Sequence, residues 1–496
     1  MGKEYICVVD RGTTNVKAVL FDLEGNEIYI SSVAGQVPVV LHQGWFEQDM
    51  ELIWKTAAKA IRGCVDYLEK EDKIIGVSVT GQGSGIYVTD KGGKPVRQGI
   101  TSLDTRADKI IERLNKTGIQ EWWKEHTYKG LSKESPLALL LWIKENEPDV
   151  YKNVEHIFFS KDWVRYCLTG ECATDITDTS PNGMLGLDEK TYMLEGLDKL
   201  GIADKKHTLP QVLLSHEIAG YVIKSASEET GLDVGTPVFA GAHDMMACCL
   251  GIGRVTTDFL LCTIGTWGGN YMVTPERREG ISSNPHIIEG KYVTVYMDGN
   301  SGAVLDRMLR MIYSCPDKKP DKKFDMNAYY ERAEKQARKA QYDDILFLPY
   351  LFEALNEDNA GAKFAGIKNW HTQDDLVAAV YEGIVMHHFE RVQSKLNDAP
   401  GVETLYLGGG GGRSTLFAQL FADMFNKAVQ IPDCDELASR GSALSALAGL
   451  GIKKSVQDIL IPVRVKKIYE PDLENHKFME EKYCKFKGLI KGGSVK

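Results

Sequence analysis

Apolar residues near the start of the chain fall in short runs separated by polar turns. Tyr5 to Val9 reads YICVV and Val16 to Asp22 reads VKAVLFD, with DRGTTN around the turn between them. Run, turn and run predict a β-hairpin, and Gly25-Asn26 marks a second turn where positive φ is affordable. The pattern predicts a helix from about Met50 to Leu68 and a buried strand over Ile74 to Gly81. Near residue 255 the scheme returns in TDFLLCTIGTWGGNYMV, again apolar run, Gly-Thr turn, apolar run. The two hairpins carry Gly12-Thr13 and Gly265-Thr266 at corresponding places. An internal repeat in a chain of 496 residues predicts two domains of related design, divided as 1–253 and 254–496.

The second half holds a long helical pattern after His371-Thr372. Thr372 is a good N-cap with Asp375 in capping-box position. Leu376, Val380, Ile384 and Val377, Tyr381, Val385 form two adjacent apolar rows. VETLYLGGGGGRSTLFAQLFADMF then reads as strand, glycine loop and helix. The lysine-rich DKKPDKKF near residue 320 reads as a solvated loop.

Composition narrows the class. Apolar residues at 43% and charged residues at 26% are the balance of a soluble globular protein. A net charge of −10 disfavours a nucleic-acid surface, which needs clustered Lys and Arg. MGKEYICVVDRG lacks the apolar core of a signal peptide and does not fit the myristoylation pattern. No apolar run approaches a bilayer's thickness, so no membrane association is expected. The 10 cysteines never form C-x-x-C, which points to reduced thiols and a cytoplasmic location. Cys248 and Cys249 are expected to be buried rather than metal-binding.

Four places could carry chemistry. In DRGTT, Gly12 lets backbone approach a phosphate, Thr13 and Thr14 offer hydroxyl donors, Lys17 adds charge, and Asp10 could hold magnesium through water; an ordinary hairpin turn is the alternative. Gly408 to Gly412 follow a strand and open a helix, the setting of a nucleotide-binding loop. It is not a P-loop, because Arg413 stands where Lys is needed, nor a dinucleotide fingerprint, whose third glycine would fall at Arg413. It can still admit a flat base or ribose, or be a simple tight turn. Asp244 in GAHDMMA is either a helix N-cap or a general base, with His243 beside it read as a structural residue. Gln82, Asp104 and Arg106 suit a polyhydroxylated ligand, unless Asp104 and Arg106 pair with each other.

Taken in order, these segments resemble the FGGY family of carbohydrate kinases. The landmarks are VVDRGTTNVKAVLFDLEGNEI, GWFEQDMELIW, SLDTRA, GTPVFAGAHDMMACCLGIG, TIGTWG, LVAAVYEGIVMHH and LGGGGGRSTLFAQLFADMFNKAVQIP. The resemblance implies an α/β fold of two actin-like ATPase (ribonuclease-H-like) domains with an interdomain active-site cleft. It implies transfer of the γ-phosphoryl of ATP to a sugar or polyol, with magnesium. The family's base falls on Asp244. Its first phosphate motif falls on Asp10, Gly12, Thr13, Thr14 and Lys17, and its second on Gly265 and Thr266. Its adenosine motif falls on Gly409, Gly410 and Ser414, and its substrate contacts near Gln82, Asp104 and Arg106, with Trp45 close by. The short motifs sit nearest the L-xylulose, 3-keto-L-gulonate and erythritol kinase branch. Many relatives are dimers, so a homodimer is expected. The rival reading is an actin-like ATPase or a sugar sensor without phosphoryl transfer; the polar cluster and Asp244 argue against it.

Overall fold

The computed structural model describes residues 2–12, 15–127, 129–188, 190–277, 283–313, 326–340, 344–352, 361–398, 401–453 and 456–491. Thr13 and Thr14 of the first turn, and the lysine-rich segment near 320, lie outside these residues. The chain forms two compact units. The first comprises residues 1–255, 274–293 and 436–463; the second comprises 256–273, 294–435 and 464–496. The boundary expected at 253/254 corresponds to the first crossing between units. The two segments that later return to the first unit have no counterpart in that linear division.

In the first unit, β1 (Glu4–Arg11), β2 (Asn15–Phe21) and β3 (Glu27–Ala34) form an antiparallel meander. β4 (Lys73–Gly81) adds to β1 in parallel. Beyond it lie β6 (Pro237–Phe239), parallel to β4, and β5 (Ile218–Tyr221), antiparallel to β6. The two-residue strand β7 (Ala242–His243) also runs parallel to β4. β1 reads as a continuous apolar run because both faces of the sheet are covered, so alternate residues on either side are buried. Tyr5, Cys7 and Val9 pack with Ile53, Ala57, Ile61 and Cys64 of α1 (Met50–Tyr67). That helix starts where Asp49 accepts hydrogen bonds from the backbone N–H groups of Glu51 and Leu52 at 2.8 and 3.1 Å. α2 (Ser160–Thr169) also packs on this sheet. α3 (Asp244–Gly251) and the late helix α6 (Leu437–Gly449) pack together, and α6 lies against β1 and β4.

The second unit repeats the plan. Its strands are β8 (Phe259–Ile264), β9 (Gly268–Thr274), β10 (Tyr292–Asp298), β11 (Thr404–Gly408), β12 (Ala428–Pro432) and β13 (Val465–Tyr469). They are ordered β10-β9-β8-β11-β12-β13. β8 and β9 form the hairpin, β11 joins β8 in parallel, and β12 joins β11 in parallel. Hairpin, third strand, then parallel additions on the far side of the first strand is also the order of the first unit. The repeat read from two Gly-Thr turns is therefore a repeat of topology. The long helix after Thr372 is α4 (Gln373–Asp398), and Asp375 accepts from both the N–H and the hydroxyl of Thr372 at 2.7 Å. α5 (Thr415–Phe425) follows the glycine loop.

Candidate active site

In the first unit the strand register brings three chain segments to one edge. Asp10 lies across from Lys17 on β2 and Thr80 on β4, while Ala242 and His243 of β7 lie beside Thr80 and Gly81. β1, β4 and β7 are mutually parallel, so Asp10, Gly81 and Asp244 all stand at carboxyl ends of strands, where α/β sheets bind ligands. Burial pushes the Asp10 carboxyl up to about 7, helped by the carboxylates of Glu436 and Asp244 and opposed by Lys17 and Arg11. Lys17 Nζ lies 2.5 Å from Glu436 Oε1. The lysine assigned to phosphate thus has an acidic partner at the start of α6.

These residues fit a magnesium ion. The raised pKa of Asp10 marks a carboxyl whose ionised form a nearby divalent cation would stabilise, and an oxygen donor suits magnesium. Among the described residues no cluster of three or more His, Cys, Asp and Glu is spaced for direct ligation.

Asp244 opens α3 with its side chain 37% exposed, so it remains accessible to a substrate. His243, and not Asp244, occupies the N-cap position. Of the two places open to Asp244 in the sequence, the N-cap position is therefore its neighbour's, and Asp244 is the first residue of the helix. His243 Nδ1 lies 2.9 Å from Asp244 Oδ1. Behind His243 is a fully buried ionic cluster. Lys161 Nζ contacts Asp162 and Asp175 at 2.7 Å and Asp178 at 3.0 Å, and Arg165 contacts Asp162 at 2.9 Å.

Gln82 sits on the loop after β4, and Ser102 Oγ donates to its Oε1 at 3.4 Å. Asp104 and Arg106 pair with each other, the alternative left open by the sequence. Arg106 Nε and Nη2 bond Asp104 Oδ1 and Oδ2 at 2.9 and 2.8 Å, and Nη1 bonds Glu47 at 2.8 Å. Its guanidinium packs on the edge-to-face pair of Trp45 and Trp142, 4.6 and 4.8 Å from the two ring centroids. Asp104 also accepts from Phe46 N–H at 2.7 Å. With both side chains wholly buried, this pair shapes the wall that carries Trp45.

In the second unit, Gly265, Thr266 and Trp267 form the exposed turn between β8 and β9. Gly409 adopts φ 70°, and a Cβ there would lie 2.8 Å from Ile264 O, so glycine is required on both counts. Gly409 and Gly410 are exposed and present bare backbone. Ser414 caps α5, accepting from Phe417 N–H at 3.1 Å, and its hydroxyl donates to Glu334. Its side chain is thus engaged within the fold.

The sequence reading did not single out Glu436, Asp178 or Lys161, and assigned His243 no role in the chemistry. Nothing local marks Glu436, which meets Lys17 from 419 positions away. Asp175 and Asp178 stand in the threonine-rich ATDITDTS, whose polar composition gives no sign that they are buried.

Comparison with known proteins agrees with this geometry. The model of the FGGY family of carbohydrate kinases, N-terminal domain, matches residues 5–251, and that of the C-terminal domain matches residues 260–450. The L-xylulose/3-keto-L-gulonate kinase of Escherichia coli K12 is 29% identical over 508 aligned positions, covering 98% of this chain and 97% of that protein. Two solved structures share the fold across 99% of this chain and 98% of their own. They are a gluconate kinase (TM-score 0.86) and a ligand-bound xylulose kinase (TM-score 0.85), both from Lactobacillus acidophilus and both 21% identical. Among the described residues no helix is long and apolar enough to cross a membrane.

Proposed function

This chain belongs to the FGGY family of carbohydrate kinases and is an ATP-dependent sugar kinase, and from that premise we propose that its acceptor is a ketopentose or small polyol of the xylulose or L-xylulose type. The observation that carries the reading is Asp244, a half-exposed carboxylate at the start of α3 whose field reaches the half-buried Asp10. Asp244 accepts the proton of the acceptor hydroxyl as its oxygen attacks the γ-phosphorus. The Gly12 and Gly265-Thr266 turns offer backbone to the phosphates, and the exposed Gly409-Gly410 backbone admits the adenosine. Magnesium, held near Asp10 through water, supplies charge neutralisation on the phosphates. Positioning and electrostatics provide most of the acceleration, since the transfer needs little covalent help. Among the described residues the cysteines are thiols and not disulfides, which suits the reducing cytoplasm. A homodimer accords with the family resemblance. The non-transferring ATPase and sensor readings have no support from the relatives.

The E. coli relative is named for a keto acid as well as for L-xylulose, which makes an acidic sugar the second reading within this class. ADP release with magnesium and ATP decides between the two. The panel is D- and L-xylulose, D- and L-ribulose, erythritol, xylitol, glycerol and 3-keto-L-gulonate. Stimulation by a neutral ketopentose supports the first reading, stimulation by 3-keto-L-gulonate alone the second, and stimulation by none refutes both. Asp244→Asn is expected to fold normally and lose turnover by at least about a hundredfold; near-normal turnover would remove Asp244 from the role.

A further inference from the structure

We propose that His243 positions the general base: its Nδ1–H holds one carboxylate oxygen of Asp244, leaving the other for the acceptor hydroxyl, while buried Asp178 backs the ring by charge and not by a hydrogen bond. This rests on the reading of Asp244 as the base.

His243 Nδ1 is 2.9 Å from Asp244 Oδ1 and 3.2 Å from Met245 N. One nitrogen cannot donate to the carboxylate and accept from Met245 N–H at once. A carboxylate oxygen that close to a bare lone pair would be repelled, so the proton sits on Nδ1 and the contact with Asp244 governs. The backbone beneath is fixed, because His243 N–H donates to Thr177 Oγ1 at 2.8 Å.

The opposite edge of the ring meets a wall built for it. A Cβ on Gly83 would lie 2.3 Å from His243 Cδ2, 2.4 Å from Nε2 and 2.7 Å from Asp178 Oδ1. Only glycine at 83 lets the ring and the carboxylate share this space. Asp178 Oδ1 is buried without a hydrogen-bond partner, while Oδ2 faces Lys161 at 3.0 Å. The next residue, Ser84, holds φ 61° although it is not glycine. Its hydroxyl donates to Asn182 Oδ1 at 2.8 Å, and Asn182 Nδ2 donates to the Asp178 carbonyl at 2.9 Å. Local strain is thus spent on keeping the loop against His243 and Asp178, as strain at functional sites commonly is.

The charged groups facing the ring are Asp244 from α3 and Asp178 and Asp175 from residues 175–178, with Lys161 behind the latter two; the loop 82–85 brings none. Burial alone would push His243 down, but Asp244, then Asp178 and Asp175, carry it above its usual value. While the ring is an imidazolium it holds electron density on Asp244 and weakens the base. When Nε2 loses its proton, Nδ1–H still orients the carboxylate and the base strengthens. Turnover therefore rises with pH through the His243 titration.

The test is kcat and sugar KM against pH for the wild type, His243→Gln, Gly83→Ala and Asp244→Asn, with the histidine ring titration of wild type and Asp178→Asn read by NMR. His243→Gln should lower kcat by about 10- to 100-fold, the effect of a misplaced reacting group, leave KM within about twofold, and shift the acid limb. Gly83→Ala, which displaces the ring without altering its chemistry, should also lower kcat. In Asp178→Asn the His243 titration should move to lower pH. An inactive Asp244→Asn beside a His243→Gln enzyme with wild-type kcat and acid limb overturns the positioning role alone. An unmoved His243 titration in Asp178→Asn overturns the backing by Asp178. An active Asp244→Asn overturns the base reading itself.

Discussion

Asp244 is carried by α3, and α3 is seated on α6 through glycine. A Cβ on Gly441 would lie 1.9 Å from the carbonyl oxygen of Ala247, one turn along α3 from Asp244. Ordinary contact begins at 3.4 Å, so Gly441→Ala must find 1.5 Å, the difference between the two. The obstacle is backbone and cannot rotate aside. A second close approach, where a Cβ on Gly251 would lie 2.1 Å from the Leu437 carbonyl oxygen, pins the far end of α3, so the separation is forced toward the end that bears Asp244. Overpacking of this kind costs about 1–3 kcal/mol, offset by about 1 kcal/mol from replacing a helical glycine. The melting temperature should fall by a few degrees, at roughly 2–4 °C per kcal/mol for a unit of this size. Turnover should fall further than stability does, because a misplacement near 1 Å at the reacting groups costs on the order of a hundredfold. The assay is ADP release at saturating ATP and sugar, beside thermal unfolding. The control is Gly488→Ala, exposed in the helix Leu473–Ile490 with nothing within 4 Å of the added methyl. It should stabilise by about 1 kcal/mol and leave turnover alone. A Gly441→Ala enzyme with wild-type kcat and an unlowered melting temperature refutes the argument that glycine contact sets the position of Asp244.

Asp10→Asn should raise the melting temperature of the magnesium-free protein at pH 8.5, by about half as much at pH 5.5, and leave it nearly unchanged only near or below the usual carboxylate value of 3.8. The native pKa near 7 lies above the usual carboxylate value of 3.8. The folded state thus binds the extra proton, and stability declines as pH rises between those values. Removing the carboxyl removes that loss, which begins above the unfolded value and is complete once the folded group has ionised, and the same variant should lose turnover. Arg106→Ala should destabilise the first unit by about 3–5 kcal/mol in urea unfolding, because it strands buried Asp104 without its cation. A loss under about 1 kcal/mol with a raised sugar KM would instead return Arg106 to ligand binding.

The strands and helices that sequence made legible are those whose evidence is local. Both hairpins, the helix from Met50 and the helix capped by Thr372 and Asp375 lie where their apolar periods and turn residues put them. Asp10, Gln82 and Asp244 were legible because each ends an apolar strand. The Asp104–Arg106 pair could be written down as an alternative but not chosen, since two residues of opposite charge at i and i+2 do not reveal whether a ligand or each other satisfies them. Glu436 and the Lys161 cluster were not legible at all. Their partners come from segments far apart in the chain, and a lysine or aspartate bound for a fully buried site looks in sequence like any surface charge.

The return of residues 436–463 to the first unit has a consequence during synthesis. When the ribosome has released residue 255, the sheet of the first unit is complete, but the face that α6 covers, and the groove that seats α3, are bare. At about 5–20 residues per second, α6 follows roughly 10–40 s later. Through that interval the nascent chain exposes the apolar underside of its own catalytic helix, a surface that chaperones bind and that other nascent chains can stick to. A gene truncated after residue 255 should therefore yield insoluble product, and adding residues 436–463 through a short linker should recover it.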